Sequence, residues 1–342
     1  MRTRSLLDHA PFPELSTKTV ASQGTSSAVS AEVGAVVASV ARVVQQAEQH
    51  VPGSKRVAEL AMIALAAKGH ILLDDVPGTG KTTFAKTFAA SLGVEAKRLQ
   101  CTPDLMPGDV TGVGVLSRVD NTISFRKGPV FANVLLADEL NRATPRAQSA
   151  LLEAMAERQV TIDGVSYPLP DPFLVIATQN PAGSEGTYNL PDSQLDRFAI
   201  STTLGYPSLA SGTRMLLEHR NEPPLPQTVM TSTDLSALID AVQQVHVEPS
   251  IAAYVWSLAA ATRANASVAV GASPRAALSL LRCAAANALL ANRQYVSVDD
   301  VKALAIPCFR HRIRLTVPAH RANCRVEQVI CDVLGSCPVP SR

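Results

Sequence analysis

The spacing of apolar positions along this chain changes twice. Over residues 1–30, Ser and Thr are frequent, Pro11 and Pro13 interrupt, and no period is visible, so a flexible lead segment is expected. Helical spacing begins near Ala31. From Gly69 to Leu204, short unbroken apolar runs (70–74, 134–137 and 173–177) alternate with helical segments. Runs that are apolar at every position belong to strands covered on both faces. The pattern therefore predicts a parallel α/β sheet. Gly205-Tyr206-Pro207 breaks it, and three prolines between Asn221 and Pro226 require a loop or turn. Alanine-rich stretches at 234–245, 249–264, 274–292 and 298–309 then read as helices. Two carry start signals, Ser273-Pro274 and Ser297 ahead of Asp299-Asp300. The expected organisation is a lead segment over 1–30, an α/β domain with helices on both faces over 31–207, and a small all-α domain with a tail over 208–342.

Composition narrows the class. With 342 residues, 46% hydrophobic and 18% charged, the chain can bury a core and is neither disordered nor fibrous. A net charge of +2 and 4% aromatics argue against a nucleic-acid coat or a base-stacking strand binder. The longest clean apolar run, 60–67, falls far short of the ~18 residues a spanning helix needs, so no membrane span is expected. The basic start, 1–5, has no apolar stretch behind it, which argues against a signal peptide. Six cysteines form no Cys-x-x-Cys pair and read as reduced thiols of a cytoplasmic chain. A disulfide or zinc site within Cys324, Cys331 and Cys337 is the alternative.

Two segments carry chemistry. The strand at 70–74 runs into Asp75-Val76-Pro77-Gly78-Thr79-Gly80-Lys81-Thr82-Thr83, and helical spacing follows. Strand, glycine loop and helix in that order make a phosphate cradle: glycines let backbone N–H groups turn inward, and the helix N-terminus offers partial positive charge. Lys81 can reach the β- and γ-phosphates of ATP, and the Thr82 hydroxyl can ligate Mg²⁺. The strict pattern wants glycine at position 75, where Asp75 stands. The second segment, Val134-Leu135-Leu136-Ala137-Asp138-Glu139, is an apolar strand ending in two acids. Buried carboxylates are costly unless paired or metal-bound. Asp138 is the candidate for Mg²⁺, and Glu139 the candidate to polarise an attacking water.

Taken together, Asp75 to Thr83, Cys101 to Gly112, Gly128 to Asn133, Ala137-Asp138-Glu139-Leu140-Asn141-Arg142-Ala143, Gln148 to Met155, Ala177-Thr178-Gln179-Asn180-Pro181, Glu185 to Tyr188 and Leu195-Asp196-Arg197-Phe198 resemble the MoxR family of AAA+ ATPases. The resemblance covers the α/β part nearly end to end and continues more weakly into the helical part, which it implies is a lid. An acid at position 75 looks like the family's own variant. Leu140 stands where isoleucine is commoner. The resemblance implies a P-loop NTPase fold and an ATP- and Mg²⁺-dependent hexameric ring. It also implies remodelling or maturation of client protein complexes, often with a von Willebrand A-domain partner. An insertion is implied near 102–128, and a hairpin ahead of the sensor strand. That hairpin is also legible directly: Val160, Ile162, Val165 and Tyr167 flank Asp163-Gly164, a strong two-residue turn signal.

By the same resemblance Asn180 matches the first sensor, Arg197 the arginine finger that reaches a neighbour's γ-phosphate, and Arg275 the second sensor. Arg275 falls in the first turn of a predicted helix, where a cation opposes the helix dipole unless an anion is near. Arg146, after Thr144-Pro145, is placed alike and reads as solvated or as a subunit contact. The basic run Arg310-His311-Arg312-Ile313-Arg314 reads as a solvated or subunit-facing surface. Three other readings stand beside the remodelling ATPase: a chelatase-like motor for metal insertion, a nucleic-acid motor, and a non-catalytic scaffold. Near-neutral charge and few aromatics argue against the second. The intact set Lys81, Asp138, Glu139, Asn180, Arg197 and Arg275 argues against the third.

Overall fold

The computed structural model describes residues 31–74, 78–116, 123–179, 188–206, 209–218 and 226–340. The lead segment, Asp75-Val76-Pro77, Asn180, Glu185-Gly186-Thr187, Pro207 and residues 221–225 of the proline-rich loop lie outside the described residues.

Helices α1 (Ala31–His50) and α2 (Lys55–Ala66) lead into β1 (Ile71–Asp74), α3 (Lys81–Ser91) and β2 (Ala96–Gln100). A short α4 (Pro107–Thr111) and the antiparallel pair β3 (Gly112–Leu116) and β4 (Ile123–Lys127) come next. Then follow β5 (Val134–Asp138), α5 (Pro145–Glu157), the hairpin β6 (Gln159–Ile162) and β7 (Val165–Pro168), β8 (Leu174–Gln179), α6 (Asp192–Leu195) and β9 (Ile200–Thr202). Five strands form one parallel sheet in the order β2-β5-β8-β1-β9. Its unbroken apolar strands serve two layers at once, because successive side chains alternate faces. Ile71, Leu73, Val134, Leu136, Leu174 and Ile176 join the core against α1, α2 and α3. Leu72, Leu135, Ala137, Val175 and Ala177 join a second core with α5.

Both expected additions are present. The 102–128 segment contains the β3–β4 pair. The β6–β7 hairpin turns at Asp163 (φ 51°) and Gly164 (φ 80°), two positive φ values that the Asp-Gly sequence accommodates. Phe125 of β4 stacks on Tyr167 of β7 with ring centroids 4.4 Å apart, so the two hairpins lean on each other.

The rest is helical: α7 (Leu209–Glu218), α8 (Ser232–Gln243), α9 (Pro249–Ala264), α10 (Pro274–Leu290), α11 (Val298–Phe309), α12 (Val317–Arg321) and α13 (Val326–Ser336). The caps work as the sequence suggests: Ser273 Oγ accepts from Ala276 N, and Ser297 Oγ from Asp300 N. The structure adds a small antiparallel pair, β10 (Val268–Val270) with β11 (Arg314–Leu315), too short to announce itself by alternation. It also corrects the reading of the basic run. Arg314 is exposed, but Arg312 is 6% exposed and His311 is largely enclosed. The middle of the run, His311 and Arg312, packs between α6, the start of β9 and the helical part rather than lying in solvent, because its donors find backbone carbonyls there. All six cysteines are free, so Cys324, Cys331 and Cys337 form no disulfide.

Candidate nucleotide site

The first component sits where β1 hands over to α3. Gly78 (φ 84°) and Gly80 (φ 87°) adopt left-handed backbone that a side chain would strain. Gly80 caps α3, and its carbonyl accepts the first helical bond from Phe84 N at 2.9 Å. Lys81 is the first helical residue and is buried, Thr82 is half-buried and Thr83 exposed. No acid occupies this first turn, so the helix end presents its N–H groups and a lysine toward the loop. Behind it Phe84 and Phe88 stack in the core and fix the helix against the sheet.

The second component is the C-terminal end of β5, two strands from β1 across β8. In an open parallel sheet, ligands gather at the carboxyl ends of the strands. Asp138 is 8% exposed. Its Oδ1 accepts from Thr178 Oγ1 at 2.8 Å, and its Oδ2 pairs with Arg98 Nη2 at 2.6 Å. Thr178 also accepts from the backbone N–H of Glu139 at 2.8 Å. One buried hydroxyl thus fixes both acids. Glu139 adopts left-handed backbone (φ 57°), which turns its carboxylate out of the strand line. Its Oε2 lies 2.8 Å from Arg142 Nη1 and 3.4 Å from Gln100 Nε2. Cys101, next on the β2 side, is not a nucleophile. Burial first, then the charges of Asp138 and Glu139, push its thiol up to about 12.

Arg197 lies just beyond α6, and its Nη1 donates to the carbonyl of Leu152 in α5 at 2.5 Å. Arg275 is exposed in the first turn of α10. The segments that carry them are joined: Ser273 Oγ donates to the carboxylate of Asp196 at 2.9–3.0 Å. Arg146 is exposed, with Thr144 capping its helix. Sequence reasoning assigned no role to Thr178, Arg98, Gln100 or Arg142. Period-2 spacing puts Arg98 and Gln100 on one face of β2, leading to its carboxyl end, which was the available signal. Thr178 stood in the motif Ala177-Thr178-Gln179-Asn180-Pro181 with no role of its own.

The donors fit the ligands the sequence suggests. A glycine-lined helix N-terminus with a lysine suits phosphates, and a hydroxyl plus a carboxylate are the hard oxygens that Mg²⁺ takes.

Comparison with known proteins agrees. Residues 70–200 match the model described as the ATPase family associated with various cellular activities (AAA), and residues 260–330 match the AAA lid domain. Over 290 residues the chain is 42% identical to the uncharacterized Bacillus subtilis protein YeaC, covering 84% of this chain and 91% of that one. It is 37% identical over 317 residues to Chaperone MoxR1 of Mycobacterium tuberculosis, covering 90% and 84%. The solved structure of a candidate ATPase from Cytophaga hutchinsonii superposes with a TM-score of 0.83 at 35% identity, covering 91% of this chain and 97% of that one. Likeness of this extent, through the sheet and the lid alike, makes the chain a member of the MoxR family of AAA+ ATPases, a chaperone-like protein that hydrolyses ATP.

Proposed function

We propose that this ATPase remodels or matures client protein complexes as a ring of identical subunits, hexameric by family resemblance, together with a von Willebrand A-domain partner. The observation that carries this reading is the 37% identity to Chaperone MoxR1 over nine-tenths of the chain. In the site, the 75–83 loop and Lys81 bind the phosphates, and Thr82 and Asp138 hold Mg²⁺. When bound, the metal offsets phosphate charge. Glu139 takes the proton of the attacking water, and Asn180 orients that water. Arg197 brings positive charge to the γ-phosphate across the subunit boundary, and Arg275, as second sensor, serves its own nucleotide or the neighbour's. Glu139 must first leave Arg142, since a carboxylate held at 2.8 Å by a guanidinium is a poorer base than a free one.

Division of labour supplies the test. Lys81→Ala is expected to abolish nucleotide binding. Glu139→Gln is expected to keep binding and stop hydrolysis, holding the assembly in its ATP form. Nucleotide affinity and turnover of both variants check this, and equal loss of binding in the two would sink the assignment. Affinity capture on Glu139→Gln should then retain a von Willebrand A-domain protein and client subunits. Capture of neither would remove the partner reading and leave the ATPase in place.

A further inference from the structure

Arg312 is a buried cation that the nucleotide site leaves unexplained. Its Nη2 donates to the carbonyl of Asp196 at 3.0 Å and to that of Phe198 at 2.6 Å, the two residues flanking Arg197. Its Nε lies 3.0 Å from Asp196 Oδ1, and Nη2 also reaches Ser279 Oγ at 3.1 Å. Nη1 donates to the Cys308 carbonyl at 3.0 Å. The guanidinium therefore bridges three places: α11, α10, and the turn that carries Arg197. The Asp196 carboxylate continues the network to Ser273, the cap of α10, two residues before Arg275. His311 adds a ring nitrogen 2.9 Å from the Phe198 carbonyl. A carbonyl only accepts, so this nitrogen donates; burial, then the neighbouring Arg312 charge, lowers the ring's pKa well below the usual histidine value. Arg314 pairs with Asp192 at 3.2 Å on the far side of α6.

A buried guanidinium is unfavourable unless its donors are used, and an apolar side chain could fill the same volume at less cost. What a planar fork of donors contributes is orientation. Here it is aimed at the backbone on both sides of one residue. We propose that Arg312 is a positioning residue for hydrolysis in the neighbouring subunit: it locks the 196–198 turn to the lid, so that Arg197 and Arg275 are presented as one rigid unit. This rests on the reading of Arg197 as a finger acting across the subunit boundary.

The test uses mixed oligomers, because the defect must appear next door. Arg312→Lys keeps the charge and loses the fork. It is expected to bind nucleotide with unchanged Kd and to lose about 10–100-fold in kcat, the usual scale for a misplaced catalytic group. Mixed one to one with Glu139→Gln, which brings an intact finger and a dead site, turnover should return. The expected level is about a quarter of wild type, since half the sites keep Glu139 and half of those face an intact finger. Arg197→Ala mixed with Glu139→Gln should recover alike, and Arg312→Lys mixed with Arg197→Ala should not. Wild-type kcat for Arg312→Lys overturns the proposal. So does a loss that Glu139→Gln does not repair while it repairs Arg197→Ala, because Arg312 would then serve only its own subunit. If Arg197→Ala is not repaired either, the finger reading itself fails and this inference with it. Should Arg312→Lys melt far below wild type, Asp196→Asn goes through the same mixtures with the same expected pattern.

Discussion

His70 closes the gap between α2 and β1, and its ring is fully enclosed. Nδ1 accepts the backbone N–H of Val175 at 3.0 Å, and Nε2 donates to the Met155 carbonyl at 3.2 Å. The ring is thus a neutral tautomer, because a proton on Nδ1 would face another donor. Burial first, then the Arg158 charge, lower its pKa from 6.5 to about 3. The sign follows from linkage. Below pH 6.5 the unfolded chain takes up a proton that the folded one refuses, so stability is present above pH 6.5 and is lost as pH falls toward 3. Between pH 7 and 5 this group alone is expected to remove about 2 kcal/mol. Denaturant midpoints at the two pH values check it. His70→Gln should flatten the slope, while His311, whose pKa is lowered in the same direction, accounts for part of what remains.

At the scale of elements, the β6–β7 hairpin separates shape from work. Val160 is buried in the α5-side core and Ile162 and Tyr167 pack against it, whereas Val165 is half-exposed at the tip. Thr161 and Ser166 share a hydrogen bond at 3.0 Å on the exposed face. Changes at the tip leave this core contact intact, though alanine at the left-handed Asp163 costs about 1 kcal/mol. Asp163→Ala with Ser166→Ala should lower the thermal midpoint only slightly, keep basal turnover and lose partner-stimulated turnover. Stimulation equal to wild type would make the hairpin structural only. This element was legible because Asp-Gly names its turn and alternation names its strands. The bounds of Pro249–Ala264 and Val298–Phe309 were legible for a similar reason: Pro249 starts one, Ser297 caps the other, and the apolar period runs through both. The β10–β11 pair had no such marks. Arg312 was misjudged for a deeper reason. A run of three arginines and a histidine in five residues looks solvated, and only tertiary structure reveals that three carbonyls converge on one of the arginines. The chemistry of Lys81, Asp138 and Glu139 could be read because strand ends and glycine loops are local signals. The Thr178 bridge could not, since it joins residues 40 positions apart that become neighbours only in the sheet.

For the whole molecule, the sheet and the lid share one core. The cluster that holds Ile71, Leu73 and Phe84 runs through α1 and α2 into Leu238, Leu280 and Leu304 of the helical part. If Arg197 serves a neighbour, activity must depend on assembly. Specific ATPase activity is expected to rise with protein concentration, by a factor that an arginine finger can set at about 10³–10⁵. Flat specific activity from dilute monomer to assembled oligomer would contradict that.

The far end of α3 has a consequence of its own. Thr228 Oγ1 donates to the Ala90 carbonyl at 3.3 Å, and the N–H groups of Val229 and Met230 reach the Ser91 carbonyl at 2.8 and 3.2 Å. Gly93 makes that seat possible, because a Cβ there would come within 2.6 Å of Thr228. One end of this helix carries the candidate phosphate loop and the other is pinned to the chain entering α8. A helix of 11 residues is about 16 Å long and stiff along its axis. It joins the two ends as a stiff rod, so that any strain placed on its first turn is felt by the chain entering α8, with no hinge between.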